Sequence, residues 1–288
     1  MVTEEKVWRP NNLNEAWSLS QQLMRPSQFV SGGTWLRTQW EAGTDNIAPH
    51  LISLDRVSEV TNCIHIEKGE LVIGAMAALA DVSGNALIKE RSPLLIKACQ
   101  NIASPSVRNQ ATLGGNIISR VGDTLPVLLV LEATLTWYSA GNFINVSVQE
   151  WMERSGDAWG ILVCVRVPLK REANFSFFLK IGRRETFIPS LVTVAGRGIY
   201  SEEKHEIMTI SLAAGSGSTS AMRLIETERL LTEKRCSNSI LSEALTVIQG
   251  DFQPSGDPFA SAYYKRQVAA NLIVSELYRL GGDCHEIK

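Results

Sequence analysis

Two glycine pairs are the residues of this sequence whose type and spacing best suggest binding chemistry. The first lies in FVSGGTWL, Phe29–Leu36, and the second in ATLGGNIIS, Ala111–Ser119. Glycine lets the backbone approach a ligand closely, and the N–H groups exposed at such a turn favour an anion. One Gly-Gly turn is more often a plain connection. Two similar loops about 80 residues apart could hold the two phosphates of one diphosphate.

Other chemical motifs are absent or weak. The sequence contains no GK[ST], no G-x-S-x-G, no HExxH and no close pair of acidic residues suited to acid–base catalysis. One segment imitates the strand, G-x-G-x-x-G turn and helix of a dinucleotide-binding site: ISLAAGSGSTSAMRLIETERLL, Ile210–Leu231. Ser220 stands where the motif has its third glycine, and no second strand ending in an acidic residue follows. We therefore interpret Gly215 and Gly217 as a structural turn. The sequence predicts neither a catalytic residue nor a metal site.

Composition narrows the class of protein. The 288 residues are 44% hydrophobic and 20% charged, which is typical of a soluble chain with about two domains. The net charge of −2 argues against nucleic-acid binding. No apolar run reaches the roughly 18 residues of a membrane span, and the N-terminus lacks a signal-peptide pattern, so we expect a cytoplasmic protein without membrane contact. The five cysteines form no C-x-x-C pair, so we expect reduced thiols.

The elements that must position the glycine pairs follow from periodicity and turn residues. In the N-terminal part we predict a strand before the first pair, helices, and a hairpin turning at Lys68-Gly69. The predicted elements there are Asn14–Met24 (helix), Gln28–Ser31, Leu51–Leu54, Ile64–Ile66, Glu70–Ile73, Ser92–Ile102 (helix), Leu125–Leu131 (helix), Thr134–Tyr138 and Ile161–Val167. The chain turns polar at Lys170, and we place a domain boundary there. Beyond it we predict three strands and two helices, Phe175–Ile181, Ser190–Arg197, Glu206–Ala213, Ser220–Leu231 (helix) and Ala260–Leu280 (helix).

The segment around the second pair, SPSVRNQATLGGNIISRVGDTLPVLLVLEATL, resembles a known family. It is similar to the FAD-binding subunit of the xanthine dehydrogenase and carbon monoxide dehydrogenase group of molybdenum hydroxylases, most of all to bacterial xanthine dehydrogenase subunits. The resemblance covers essentially the whole chain. It continues in WRPNNLNEAWSL, FVSGGTWL, LVIGAMAALADV, FLKIGRRETFIPSLVTVA, SLAAGSGSTSAMRLIETERLL and SAYYKRQVAANLIVSELYRL.

The resemblance implies an α+β fold. Residues 1–172 would form a vanillyl-alcohol-oxidase-like (PCMH-type) FAD-binding domain of two α/β subdomains, at about 1–58 and 59–172. Residues 173–288 would form a C-terminal domain like that of the CO dehydrogenase flavoprotein, with a three-stranded antiparallel sheet and helices. This boundary agrees with the polar turn near residue 172 in the sequence.

The resemblance also implies a set of residues that bind FAD. The first loop would wrap the diphosphate through Phe29, Val30, Ser31, Gly32, Gly33, Thr34, Trp35 and Leu36. The second loop would complete the cradle through Thr112, Gly114, Gly115 and Asn116. Asp123 would contact the nucleotide, Ile102 and Leu162 would pack near the isoalloxazine, and Lys180 would lie near the flavin. No histidine stands in the first loop, so non-covalent FAD is expected.

The implied function is electron transfer within a larger enzyme. A molybdopterin-binding large subunit would pass electrons through the [2Fe–2S] clusters of a small subunit to FAD on this chain, and FAD would reduce NAD⁺ or another acceptor. Purine oxidation, as in xanthine dehydrogenase, and a dimer of heterotrimers are the expected setting. Two alternatives remain: a free-standing flavin oxidase or reductase of the same fold, and a scaffold subunit without flavin. The paired glycine loops favour FAD binding over the scaffold.

Overall fold

The structure is a computed structural model that describes residues 6–24, 26–60, 63–154, 159–169, 173–182 and 190–281. The described residues fall into two compact units. The first comes from Met1–Ser119 and Ala133–Leu169, and the second from Arg120–Glu132 and Lys170–Lys288. The short segment Arg120–Glu132 therefore packs with C-terminal elements although it lies well before the polar stretch at Lys170.

The first sheet of the first unit is parallel. Its strands, in the spatial order β1-β3-β2, are β1 (Lys6–Trp8), β2 (Ser27–Val30) and β3 (His50–Ser53). Parallel neighbours need crossover connections, which are supplied by the helices α1 (Leu13–Gln22) and α2 (Thr34–Glu41). Asn12 caps α1, since its side chain accepts the N–H of Glu15. The predicted helix and strands in this region are confirmed, with ends that differ by a few residues.

The second sheet of the first unit is antiparallel. Its strands lie in the order β4-β5-β8-β6-β7, with the bounds β4 (Ile64–Glu67), β5 (Glu70–Gly74), β6 (Thr134–Ser139), β7 (Asn142–Ser147) and β8 (Ile161–Pro168). Lys68 and Gly69 have φ values of 50° and 79°. A two-residue hairpin turn of type I′ requires a positive φ at both of its central residues. The predicted hairpin is therefore confirmed. Ile52 of the first sheet and Val163 of the second lie in one buried apolar cluster, which joins the two sheets.

Short helices fill the connection from β5 to β6 and the one after β7. In the first unit they are α3 (Leu79–Gly84), α4 (Ala86–Arg91), α5 (Pro93–Gln100), α6 (Pro105–Gln110), α7 (Leu113–Ile118) and α9 (Val148–Glu153). Proline opens α5 and α6, where its missing N–H is not needed. The helix predicted from Ser92 is confirmed as α5.

The second unit is an antiparallel sheet packed against helices. The strands are β9 (Phe175–Ile181), β10 (Val192–Ser201), β11 (Glu206–Ser216), β12 (Thr219–Arg223) and β13 (Lys234–Arg235). Their order is β12-β11-β10-β9, and β13 pairs with β11. The helices are α8 (Leu125–Val130), α10 (Ile225–Leu231), α11 (Asn238–Asp251) and α12 (Ala262–Leu280). Phe252, Ile273 and Leu277 belong to the core between sheet and helices.

Two expectations for the second unit need correction. The three predicted strands are present, but the described sheet has two more, β12 and β13. The helix predicted over Ser220–Leu231 begins only at Ile225, because Thr219–Arg223 pairs with β11 as an antiparallel strand. That hairpin makes Gly215 and Gly217 a strand-to-strand connection, as interpreted from the sequence. Within the described ranges, no helix has the length and apolar character that crossing a bilayer requires.

Candidate flavin site

The first glycine pair forms the turn between β2 and α2. Gly33 stands at the N-cap of α2 with φ 68°, a backbone conformation that favours glycine, and its carbonyl accepts the N–H of Arg37 at 2.9 Å. No side chain in the described part of the chain caps this helix. Its first-turn N–H groups are therefore open to an external acceptor, and the helix dipole favours a negative one.

The second glycine pair opens α7. Thr112 is the N-cap, and its hydroxyl accepts the N–H of Gly115 at 3.0 Å. A neighbouring stretch of chain braces the loop, because Gly114 donates its N–H to the carbonyl of Ala75 at 2.9 Å. A Cβ at Gly114 would lie 2.7 Å from that carbonyl oxygen, so only glycine fits there without displacement.

The two glycine loops touch each other within the first unit. The hydroxyl oxygens of Ser31 and Thr112 are 2.9 Å apart across 81 positions of sequence. A Cβ on Gly32 would lie 2.0 Å from the carbonyl oxygen of Gln110, and one on Gly115 would lie 3.2 Å from Ser31 Oγ. The absence of side chains at these glycines is what allows the backbones to meet.

One of the two hydroxyl hydrogens of Ser31 and Thr112 takes no part in the hydrogen bond between these residues. Two hydroxyls carry two hydrogens, and the bond between them takes one, whichever oxygen donates. Thr112 Oγ1 also accepts the N–H of Gly115, and the second hydroxyl hydrogen is available to an external acceptor. FVSGGTWL and ATLGGN contain no charged residue. An anion at this junction would be bound by N–H and O–H groups.

The other residues that the resemblance assigns to the flavin in this unit are buried or half-buried. Ile102 is 9% exposed, and its carbonyl accepts a hydrogen bond from Arg108 at 2.8 Å. Leu162 is 5% exposed and lies in β8 opposite Trp137 of β6. Asn116 is half-buried in α7. Phe29, Val30, Thr34, Trp35 and Leu36 are half-buried in β2 and the first turn of α2.

The remaining two assigned residues lie in the second unit, where they form an ion pair. Lys180 Nζ donates to Asp123 Oδ2 at 2.5 Å, with side chains only 16% and 10% exposed. Ser190 also donates to this carboxylate, at 2.6 Å from Oδ1. The sequence gives no sign of the Ser190 contact, because 67 positions separate the two residues.

The cysteines and acidic residues of the described ranges were compared with the requirements of a metal site. In the described ranges, no three side chains from His, Cys, Asp and Glu come together as metal ligands would. Cys63, Cys99, Cys164 and Cys236 are free thiols, and burial raises the pKa of Cys99 to about 12. Cys284 and residues 183–189 of the FLKIGRRETFIPSLVTVA motif lie outside the described residues.

Comparison with known families shows the family to which the chain belongs. Residues 3–170 match the model of the FAD binding domain in molybdopterin dehydrogenase, and residues 178–280 match the CO dehydrogenase flavoprotein C-terminal domain. The chain belongs to the FAD-binding subunits of the molybdenum hydroxylases. The family resemblance of the sequence and its fold class are thereby confirmed, and the chain is a FAD-containing oxidoreductase subunit.

Individual relatives agree with this family. The carbon monoxide dehydrogenase medium chain of Hydrogenophaga pseudoflava is 34% identical, with 96% of both chains covered. The nicotinate dehydrogenase FAD-subunit of Eubacterium barkeri is 22% identical, with 98% of this chain and 99% of the relative covered. A chain of quinoline 2-oxidoreductase from Pseudomonas putida 86 has a TM-score of 0.84 at 20% identity, with 96% of both chains covered. The last comparison shows the shared fold.

Proposed function

We propose that the junction of the two glycine loops is the diphosphate cradle of FAD. The observation that carries the proposal is the contact between Ser31 and Thr112, because it gathers two glycine loops, a free helix start and a spare hydroxyl hydrogen at one place. A diphosphate is the ligand that such a set of uncharged donors fits best. Ile102 and Leu162 supply apolar surface for the ring system, and Asp123 and Lys180 supply polar contacts to the nucleotide.

In this proposal the protein's part is binding and orientation. When bound, FAD would supply the redox chemistry of electron transfer, and the two glycine loops would hold its diphosphate. Gly32 and Gly115 allow the two loops to approach each other where the diphosphate would lie, and the N–H groups of α2 offset its charge. No acid or base is required of the chain for hydride exchange, which depends on positioning.

We further propose that the electrons come from the [2Fe–2S] clusters of a small subunit and leave to NAD⁺. The complete enzyme would include a molybdopterin-binding large subunit and would form a dimer of heterotrimers. Purine oxidation is the proposed overall reaction. Nicotinate dehydrogenase and quinoline 2-oxidoreductase, two of the relatives, are named for nitrogen heteroaromatic compounds, the chemical class that includes purines.

A paired substitution tests the cradle. Gly33→Asp with Gly115→Asp places two carboxylates where the phosphates would bind, and we expect it to abolish FAD binding in a chain that stays folded. Gly43→Asp is the matched control, because Gly43 has nearly the same φ, 67°, with nothing within 4 Å of its Cβ position. Binding is measured by flavin fluorescence during titration of the apoprotein. Undiminished binding by the double variant would refute the cradle.

The electron acceptor and the substrate need separate experiments. Anaerobic NADH added to the FAD-loaded chain is expected to bleach the flavin absorption near 450 nm if pyridine nucleotides react at this subunit. No bleaching would remove NAD⁺ from the proposal. For the substrate, the complete complex is offered xanthine, hypoxanthine and nicotinate, and turnover of nicotinate alone would replace the purine assignment.

A further inference from the structure

Asp123, Lys180 and Ser190 form a buried polar cluster in the second unit. The two oxygens of the Asp123 carboxylate are divided between the partners: Lys180 Nζ donates to Oδ2 at 2.5 Å, and Ser190 Oγ donates to Oδ1 at 2.6 Å. Ser190 is 3% exposed and Asp123 is 8% exposed. Ion pairing alone would need only the lysine, so the serine requires its own explanation.

Ser190 is held in place by its backbone. Its carbonyl accepts the N–H of Gly217, at the turn between β11 and β12, at 2.7 Å. The next residue, Leu191, donates its N–H to the carbonyl of Ile181 at the end of β9, at 2.8 Å. Because hydrogen bonds to the β11–β12 turn and to the end of β9 hold this short stretch, the hydroxyl of Ser190 is presented at a defined point beside the sheet.

Two donors on opposite oxygens restrict a carboxylate more than one donor does. The torsion about the Cβ–Cγ bond of aspartate is broad, and a lysine at the end of a flexible stem can follow its rotation. A second donor, on a short side chain whose backbone is itself hydrogen-bonded, limits that rotation. Hydrogen bonds to a charged group are also roughly twice as strong as neutral ones, so the bond from Ser190 is suited to holding the carboxylate plane.

We propose that Ser190 is a positioning residue that orients the Asp123 carboxylate for the flavin nucleotide. Asp123 accepts one hydrogen bond on each oxygen, from Lys180 and from Ser190, and each oxygen keeps a second lone pair for a hydroxyl donor of the ligand. Ser190 acts through Asp123. This inference rests on the proposed function, which assigns Asp123 to the nucleotide.

The test compares FAD affinity in a double-mutant cycle on the full-length chain. We expect Ser190→Ala to weaken FAD binding about tenfold, measured by fluorescence titration of the apoprotein. In the Asp123→Asn background, the same serine substitution is expected to change the affinity less than about threefold, since the carboxylate that it orients is gone. Ser211→Ala is the control, because Ser211 is also buried, at 8% exposure, but lies opposite Arg197 on β10.

Three results would overturn the inference. Affinity of Ser190→Ala within twofold of the wild type would show that the hydroxyl does not matter. An equal tenfold loss in both backgrounds would show a general structural effect. If Asp123→Asn does not fold, Ser190→Thr is measured in its place. This variant keeps the hydroxyl that orients the carboxylate, so FAD binding ten times weaker than that of the wild type would contradict a positioning role for the hydroxyl. A wild-type chain that binds no FAD would instead refute the proposed function, and the inference with it.

Discussion

Replacing Gly32 by alanine is expected to separate the two glycine loops. A Cβ at this position would lie 2.0 Å from the carbonyl oxygen and 2.9 Å from the carbonyl carbon of Gln110. Both are backbone atoms near the end of α6, so no side-chain rotation relieves the overlap. The φ of Gly32 is not positive, unlike that of Gly33, so the effect is steric and does not arise from backbone strain.

The size of the effect follows from these distances. Cβ atoms essentially never come within 3.0 Å of another atom, so the loops must separate by about 1 Å. A shift of that size stretches the 2.9 Å contact between Ser31 and Thr112 beyond hydrogen-bond range. Overpacking costs about 1–3 kcal/mol and a lost hydrogen bond about 1 kcal/mol. We therefore expect a destabilisation of about 2–4 kcal/mol and at least a tenfold loss of FAD affinity.

The assay is FAD titration combined with urea unfolding of the apoprotein. Gly84→Ala is the matched control: Gly84 ends α3 in the same unit, its φ is not positive, and nothing lies within 4 Å of its Cβ position. We expect this control to keep both stability and affinity. Wild-type affinity and stability in Gly32→Ala would mean that the loops do not approach as the structure has them.

Three further predictions concern parts of the chain away from the loops. Iodoacetamide at pH 8 is expected to label exposed Cys63 in the native protein and Cys99 only after unfolding, since burial raises the pKa of Cys99 to about 12; peptide mass spectrometry checks this. Asp257→Asn is expected to lower the free energy of unfolding by about 3 kcal/mol at pH 7, because it leaves the fully buried Lys265 without the carboxylate that pairs with it. Burial opposes the ionisation of Asp257, but the hydrogen bond from Lys265 and two backbone N–H groups hold its pKa below the usual value. In urea unfolding, the difference from the wild type should therefore persist above about pH 4 and shrink as the pH falls through this lowered pKa; a difference independent of pH would contradict the pairing. Glu228→Ala removes the carboxylate that pairs with the largely buried guanidinium of Arg223, and it should lower the free energy of unfolding by about 3 kcal/mol. FAD affinity should stay within twofold of the wild type. A loss of FAD affinity that matches the loss of stability would contradict the expectation that this ion pair acts on stability alone.

Local signals in the sequence explain which parts of the fold were predictable. The hairpin at Lys68-Gly69 and the helix start at Pro93 depend on the conformations that individual residues favour, and both were predicted. The six-residue helices α3 and α4 are too short for apolar periodicity to reveal. The sequence predicts a helix from Ser220, whereas Thr219–Arg223 pairs with β11, a contact between strands that helical periodicity does not reveal.

Contacts between distant residues limit what the sequence predicts about the candidate site. The glycines predict a binding turn at each pair, but the contact of Ser31 with Thr112 spans 81 positions and follows from the fold alone. The same holds for Ser190 and Asp123. Helix α8 is buried on all sides, so its apolar sequence could not reveal that it packs with strands of the second unit.

The central claim is that this chain carries non-covalent FAD, and an absorption spectrum of the purified full-length chain tests it most directly. The spectrum is recorded before acid precipitation and again on the supernatant afterwards. We predict flavin bands near-stoichiometric with protein that move into the supernatant as FAD. Colour that stays in the pellet would show a covalent flavin and favour a free-standing oxidase. A colourless chain that also fails to take up added FAD would contradict the account.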